Sequence, residues 1–366
     1  MTAVENQQGG VFFLHGYGGT GKTFMWRTLS SALRSKCKIV LTVASSGIAS
    51  LLLPGGRTAH SKFKIHVPTE QNSTCNIEYD SHHAELLQQT QLIIWDEAPM
   101  AHKYCFEALD KTMKDIMTKH NNSNEIFGGK VVIFGGDFRQ ILPVVPKGKL
   151  GEGTLNEPND GVVEIKIPQE FLIMEFDDPI LGIINNTFPN LMDNYMDYDY
   201  LSSRAILAST IEVVDKINSV VLGLLPGEEV EYLSADSLDR SEITEGNFFE
   251  VITPEFLNSL HTSGLPNHKI KVKIGSPIML MRNIDQIHGL CNGTRLIVTH
   301  LGQHVMVATI MYGKHRGRSV YIHRMDMSPS QSPWPFKMTR RQFPIIVSYA
   351  MTINKSQGQS LDQVGL

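Results

Sequence analysis

Cysteine is scarce in this chain, and none of its four cysteines lies close to another: Cys37, Cys75, Cys105 and Cys291 are scattered. That spacing suggests neither a disulfide framework nor a cysteine-based zinc site, and it fits a reducing compartment. Long apolar runs are also missing, and nothing approaches the ~20 residues that a membrane-spanning helix needs. The opening Met1-Thr2-Ala3-Val4-Glu5 has the pattern of neither a signal nor a transit peptide, so the chain reads as intracellular and soluble, with no membrane partner. Strong charge of one sign is lacking too. A formal net charge of -4 gives no global nucleic-acid signature, and any DNA or RNA contact has to rest on local basic patches. Internal repeats and low-complexity tracts are absent.

What is present suits a folded globular protein of two or three compact units. The chain has 366 residues, 42% hydrophobic and 19% charged, enough to bury a core and with little room for long disorder. Its most specific stretch is Gly16-Tyr17-Gly18-Gly19-Thr20-Gly21-Lys22-Thr23, set between the apolar run Val11-Phe12-Phe13-Leu14 and a helix-like segment. This is the full P-loop pattern. Glycines let backbone N–H groups wrap phosphates, the next helix adds its dipole, Lys22 reaches the outer phosphates and the Thr23 hydroxyl ligates magnesium. The expected ligand is therefore a nucleotide with Mg2+.

Helical spacing from Phe24 to Ser35 and an apolar run from Lys38 to Ala44 continue the pattern of a parallel α/β sheet. Arg57-Thr58-Ala59-His60-Ser61-Lys62-Phe63-Lys64 mixes bases, hydroxyls and an aromatic, as a single-strand contact would, or as a solvated loop would. His82 and His83 have no third ligand nearby to make a metal site. The run Leu92-Ile93-Ile94-Trp95-Asp96-Glu97 reads as a buried strand delivering two acids to the ligand-binding edge of the sheet. With a P-loop upstream, Asp96 would hold magnesium, directly or through water, and Glu97 would polarise the attacking water. A further strand from Lys130 ends in a turn presenting Asp137, Arg139 and Gln140, and a glutamine there can sense the γ-phosphate. The stretch from Gly148 to Asn194 carries no motif. Ala205 to Ala208 and the amphipathic run Ile211 to Leu224 open a second α/β unit. Short alternating runs from Ile270 to Ile322 indicate a small β-barrel or meander, and Phe343 to Tyr349 reads as one strand.

Taken in order, Gly16 to Thr23, Ala44-Ser45-Ser46-Gly47-Ile48-Ala49, Thr58-Ala59-His60-Ser61, Trp95-Asp96-Glu97-Ala98, Gly135-Gly136-Asp137-Phe138-Arg139-Gln140-Ile141-Leu142-Pro143, Gly289 to Arg295 and Ala350 to Gly358 resemble the motifs of PIF-one type DNA helicases. The likeness runs along nearly the whole chain and is nearest to plant copies associated with Helitron transposons. The resemblance implies an ATP-driven superfamily-one motor moving 5′ to 3′ on single-stranded DNA and acting at DNA junctions. It also implies nuclear roles in repair, recombination and telomere maintenance. The implied fold is a P-loop NTPase with two RecA-like domains, residues 1–148 and 204–297 plus 342–366, a remnant or linker at 149–203, and an SH3-like β insert at 298–341. Carried over by residue, Lys22, Glu97 and Gln140 are catalytic, Thr23 and Asp96 hold the metal, and Ser46, His60, Lys355 and Ser356 line the DNA track. Two arginine-bearing motifs of the family are expected to be missing, one after Gly148 and one beyond Leu366, with Arg204, Arg282 and Arg295 as candidate substitutes. The adenine-reading glutamine motif that precedes the P-loop is also missing from the sequence. The expected outcome is impaired turnover, the alternative being a non-catalytic remnant that binds Mg-ATP and single-stranded DNA.

Overall fold

In the computed structural model, residues 1–6, 8–118, 125–138, 169–238, 252–261, 264–329 and 336–366 are described. Gln140 and Arg139, and residues 149–168 of the expected linker, lie outside them.

Five strands form the first sheet: β1 (Gly10–His15), β2 (Ile39–Ala44), β3 (Arg57–Thr58), β4 (Thr90–Asp96) and β5 (Val131–Gly136). Their order is β1-β5-β4-β2-β3 and every pairing is parallel. A parallel sheet is covered on both faces, which is why β2 and β4 read as continuous apolar runs. Alternate side chains of β4 serve different layers. Leu92 and Ile94 meet Trp26 and Leu33 of the Lys22–Arg34 helix, while Ile93 and Trp95 meet Cys105, Leu109 and Met113 of the Lys103–Ile116 helix. β1 is an edge strand, paired with β5 and, among the described residues, with nothing on its other side. Its Val11, Phe12 and Phe13 are exposed, and Phe13 stacks on Phe138 at 4.9 Å between ring centroids.

A second, three-stranded parallel sheet has β6 (Arg204–Ala208) between Ala350–Thr352 and Gln363–Gly365. The Ile211–Leu224 helix, capped by the Thr210 hydroxyl accepting from the Val213 amide, packs Val214, Ile217 and Val221 into this sheet's core. Its buried Asn218 donates to the carbonyls of Val347 and Ala350 and accepts from the Ala350 amide.

The antiparallel β unit has the order Ser319–His323, Val305–Ile310, Arg295–Leu301, Pro277–Leu280, Ile345–Val347. The expected boundary between 297 and 298 falls inside one strand, Arg295–Leu301, and the unit draws strands from both sides of it. The single strand expected from Phe343 to Tyr349 is also revised. Ile345–Val347 pairs antiparallel with Pro277–Leu280, and Ala350–Thr352 pairs parallel with β6, so the chain changes sheets across Ser348 and Tyr349.

Two buried arginines tie these layers together. Arg295 is fully buried and carries no carboxylate partner among the described residues. It donates to the carbonyls of Leu201, Ser202, Arg204 and Ser348 and to the hydroxyl of Tyr312. Arg340 pairs with Asp236 at 2.6 Å, with 1% and 0% of their side chains exposed, and also reaches the carbonyls of Leu257, Leu260 and Pro266.

Candidate nucleotide and nucleic-acid sites

The P-loop is built where the sequence places it. It runs from the end of β1 into the Lys22–Arg34 helix, whose N-cap Gly21 has φ 90°, a left-handed turn that favours glycine. Gly16 packs so closely on Thr20 that a Cβ would stand 2.6 Å from the Thr20 hydroxyl, while a Cβ on Gly18, Gly19 or Gly21 would meet nothing within 4 Å. The loop therefore encloses open space lined by backbone, the form a phosphate cradle needs. Thr20 donates its hydroxyl to the Tyr17 carbonyl, and the Lys22 ammonium lies over the loop, donating to Gly16 O at 2.5 Å and Tyr17 O at 3.0 Å. Thr23 follows in the first helical turn.

Across the sheet edge from the loop, β4 ends in the two acids. Asp96 is buried. Burial raises its carboxyl above the usual range, with the Trp26 indole, the Glu97 amide and the Lys22 charge acting in the opposite sense. Trp26 Nε1 and Asp96 Oδ1 are both buried with no well-aligned partner among the described residues. An oxygen left in that state, within reach of the P-loop Lys22 charge, fits a cation held through its water shell. Among the described residues no group of three or more His, Cys, Asp or Glu could hold a metal; Mg2+ takes one or two protein oxygens plus phosphates and water. Asp96, Thr23 and a nucleotide's phosphates are thus the set the structure offers.

Glu97 is also raised, by burial first and then by the Asp96 and Asp137 charges, while Lys22 lowers it. Its backbone is left-handed, φ 51° and ψ 38°, an uncommon state for a residue with a side chain and one that collects at functional sites. This turn breaks the strand's alternation, so Glu97 does not continue the pattern set by Trp95.

Sequence reasoning missed two parts of this centre. Gly135 is required by close approach, because a Cβ there would lie 2.2 Å from Trp26 Cζ2 and 3.1 Å from Asp96 Oδ1. His15 faces the buried Asp137 with Nε2 3.6 Å from Oδ1 and meets Tyr17 edge-on at 5.8 Å. The Gly-Gly doublet after an apolar run, and a histidine directly before the loop, were the available signals.

The expected DNA-track residues are placed less uniformly. Ser46 caps the Gly47–Leu51 helix, its hydroxyl accepting from the Ala49 amide, and Ser356 donates to the Ile353 carbonyl. His60 turns inward, with Nε2 3.7 Å from Cys105 Sγ, and burial pulls its imidazole below the usual range. A neutral ring facing a thiol is a poor partner for a phosphate. Of the four, Lys355 offers an ammonium at a partly exposed position, 3.4 Å from Asn292 Oδ1.

A five-stranded parallel sheet carrying a P-loop at one strand end and paired acids at another defines an α/β P-loop NTPase of RecA-like architecture. Residues 1–155 match the family model described as PIF1-like helicase, and residues 255–301 match that of the DNA helicase Pif1, 2B domain. Over these two stretches the chain is similar to PIF1-like helicases. Among curated relatives it is 26% identical to the zebrafish (Danio rerio) ATP-dependent DNA helicase PIF1, over 100% of this chain and 56% of that protein. It is also 26% identical to the ATP-dependent DNA helicase Pif1 of Bdellovibrio bacteriovorus, over 96% of this chain and 77% of that one. The fold is shared with Bacteroides Pif1 solved with ADP-AlF3 and single-stranded DNA, TM-score 0.60 at 22% identity, covering 100% of this chain and 83% of that one. It is shared equally with Candida albicans Pif1, TM-score 0.58 at 24% identity, covering 99% and 86%.

Proposed function

We propose that this chain binds Mg-ATP in the Gly16–Thr23 loop and single-stranded DNA along the track that includes Lys355, as a member of a family of 5′ to 3′ helicases. Lys22 holds the outer phosphates, Thr23 and Asp96 position magnesium, Glu97 accepts the proton of the attacking water, and Gln140 senses the γ-phosphate. Work at DNA junctions in repair, recombination and telomere maintenance, in the nucleus, belongs to the same reading.

The observation that carries it is the open P-loop after β1 facing the raised Asp96–Glu97 pair after β4, with β5 between the two strands. Raised carboxyls beside a phosphate cradle are what general-base catalysis at neutral pH requires.

Turnover is expected to be slow. Of the arginine candidates, Arg295 is taken up by buried carbonyls and Arg204 by Tyr200 O and Ser203 Oγ, while Arg282 is close enough to Lys355 for the two charges to interact. A trans-acting arginine is worth ~10³ to 10⁵ in rate in comparable phosphoryl transfers, so turnover is slow where none of these three reaches the nucleotide. The same placement favours a second reading, a binder of Mg-ATP and single strands without useful hydrolysis. DNA-stimulated ATP hydrolysis beside a Lys22→Ala control separates the two. Turnover clearly above the control supports the motor, and equal rates with retained nucleotide-induced stabilisation support the binder. Failure to bind either ligand would sink both.

A further inference from the structure

Lys355 is flanked by a second cation that nothing in the motif pattern marks. Arg282 follows the Pro277–Leu280 strand, and its neighbour Asn283 accepts from the Asn292 amide at 2.9 Å. Asn292 in turn offers its side-chain oxygen to Lys355. The two cations are therefore joined through one pair of asparagines, at the place where Gly47 of the first lobe packs against Asn283 and Asn292. Both are half-buried, and the Arg282 charge adds to burial in pulling the Lys355 ammonium below its usual range. Among the described residues neither is paired with a carboxylate, and Arg282 gives hydrogen bonds only to the carbonyls of Met281 and Ser328. A guanidinium has five N–H groups and an ammonium three, so donors remain on each. Two like charges close together, with spare donors and no acid among the described residues, favour an anion shared between them.

Resting on the reading of the track as a single-strand site, we propose that Arg282 and Lys355 share one phosphate of single-stranded DNA. The site is assembled from the β unit and the turn after Thr352, against the first lobe. Arg282 thereby joins the DNA-contacting residues.

The test is binding of a fluorescent oligo-dT to the full chain over a salt series. Each phosphate neutralised on a single strand contributes about 0.7 to the slope of log K against log salt. The double variant Arg282→Ala/Lys355→Ala is expected to lose about 0.7 in total, the value for one shared phosphate. Arg282→Ala alone is expected to weaken binding and lower the slope, with Arg282→Lys restoring most of it. A double variant losing about 1.4 would mean two separate phosphates and overturn the proposal. So would an Arg282→Ala chain that binds with natural slope and affinity. Arg282→Gln, which keeps a donor for Ser328 O, and melting curves of each variant separate lost charge from lost structure. A natural chain that binds no oligo-dT would overturn the single-strand reading itself, a different result from normal binding that is indifferent to Arg282.

Discussion

Glu97 combines three unfavourable features in one residue: a left-handed backbone, partial burial, and two neighbouring acids. A carboxyl whose folded-state value is raised stabilises the fold at low pH, and that contribution is lost as pH rises through the raised value. At neutral pH the ionised group therefore works against folding. Glu97→Gln is expected to raise the melting temperature near neutrality. The gain should vanish on acidification below about pH 4.5, the ordinary value for this group. The same variant should lose about 10² to 10⁴ in ATP turnover while keeping nucleotide-induced stabilisation. Any hydrolysis by the natural chain should also fall as pH drops through the raised Glu97 value, giving an acid limb above the ordinary glutamate range. A rate that is flat down to pH 4.5 would remove Glu97 as the base.

At the scale of elements, the Lys22–Arg34 helix reaches the sheet through Trp26, and it can do so only because β5 offers Gly135. Gly135→Ala places a methyl 2.2 Å from the indole, an overpacking that costs about 1–3 kcal/mol. Urea unfolding should register that loss, and magnesium dependence of nucleotide binding should weaken because Asp96 shares the same contact. The elements themselves were largely legible. The P-loop needs particular residue types in a fixed order, and the apolar runs of β2, β4 and β5 are what a doubly covered parallel strand must look like. What the pattern did not carry was partner and direction. Phe343 to Val347 is apolar throughout, and Ser348 and Tyr349 carry no turn signal such as glycine or proline to mark the point where the chain passes from one sheet to another. His60 suffers from the same limit. A histidine in a basic stretch reads alike whether its ring faces solvent or, as here, the Cys105 thiol.

Across the whole molecule, the Arg340–Asp236 pair holds residues Leu257, Leu260 and Pro266 against the Ala235–Leu238 and Met338–Gln342 strands. Removing one member leaves a buried charge without compensation, so Asp236→Ala should destabilise by about 3–5 kcal/mol, measured by chemical denaturation. Replacing both by apolar residues should recover most of that loss. Arg295 makes a different connection. It is bound by carbonyls on the segment before β6, on β6 itself and at the crossing between the sheets, although it belongs to the β unit. The β unit and the small parallel sheet consequently have no seam between them. A protease given the native chain should find no cleavable joint there, the two should appear and disappear together in hydrogen exchange, and any stroke the protein makes must be taken up between the P-loop lobe and everything else.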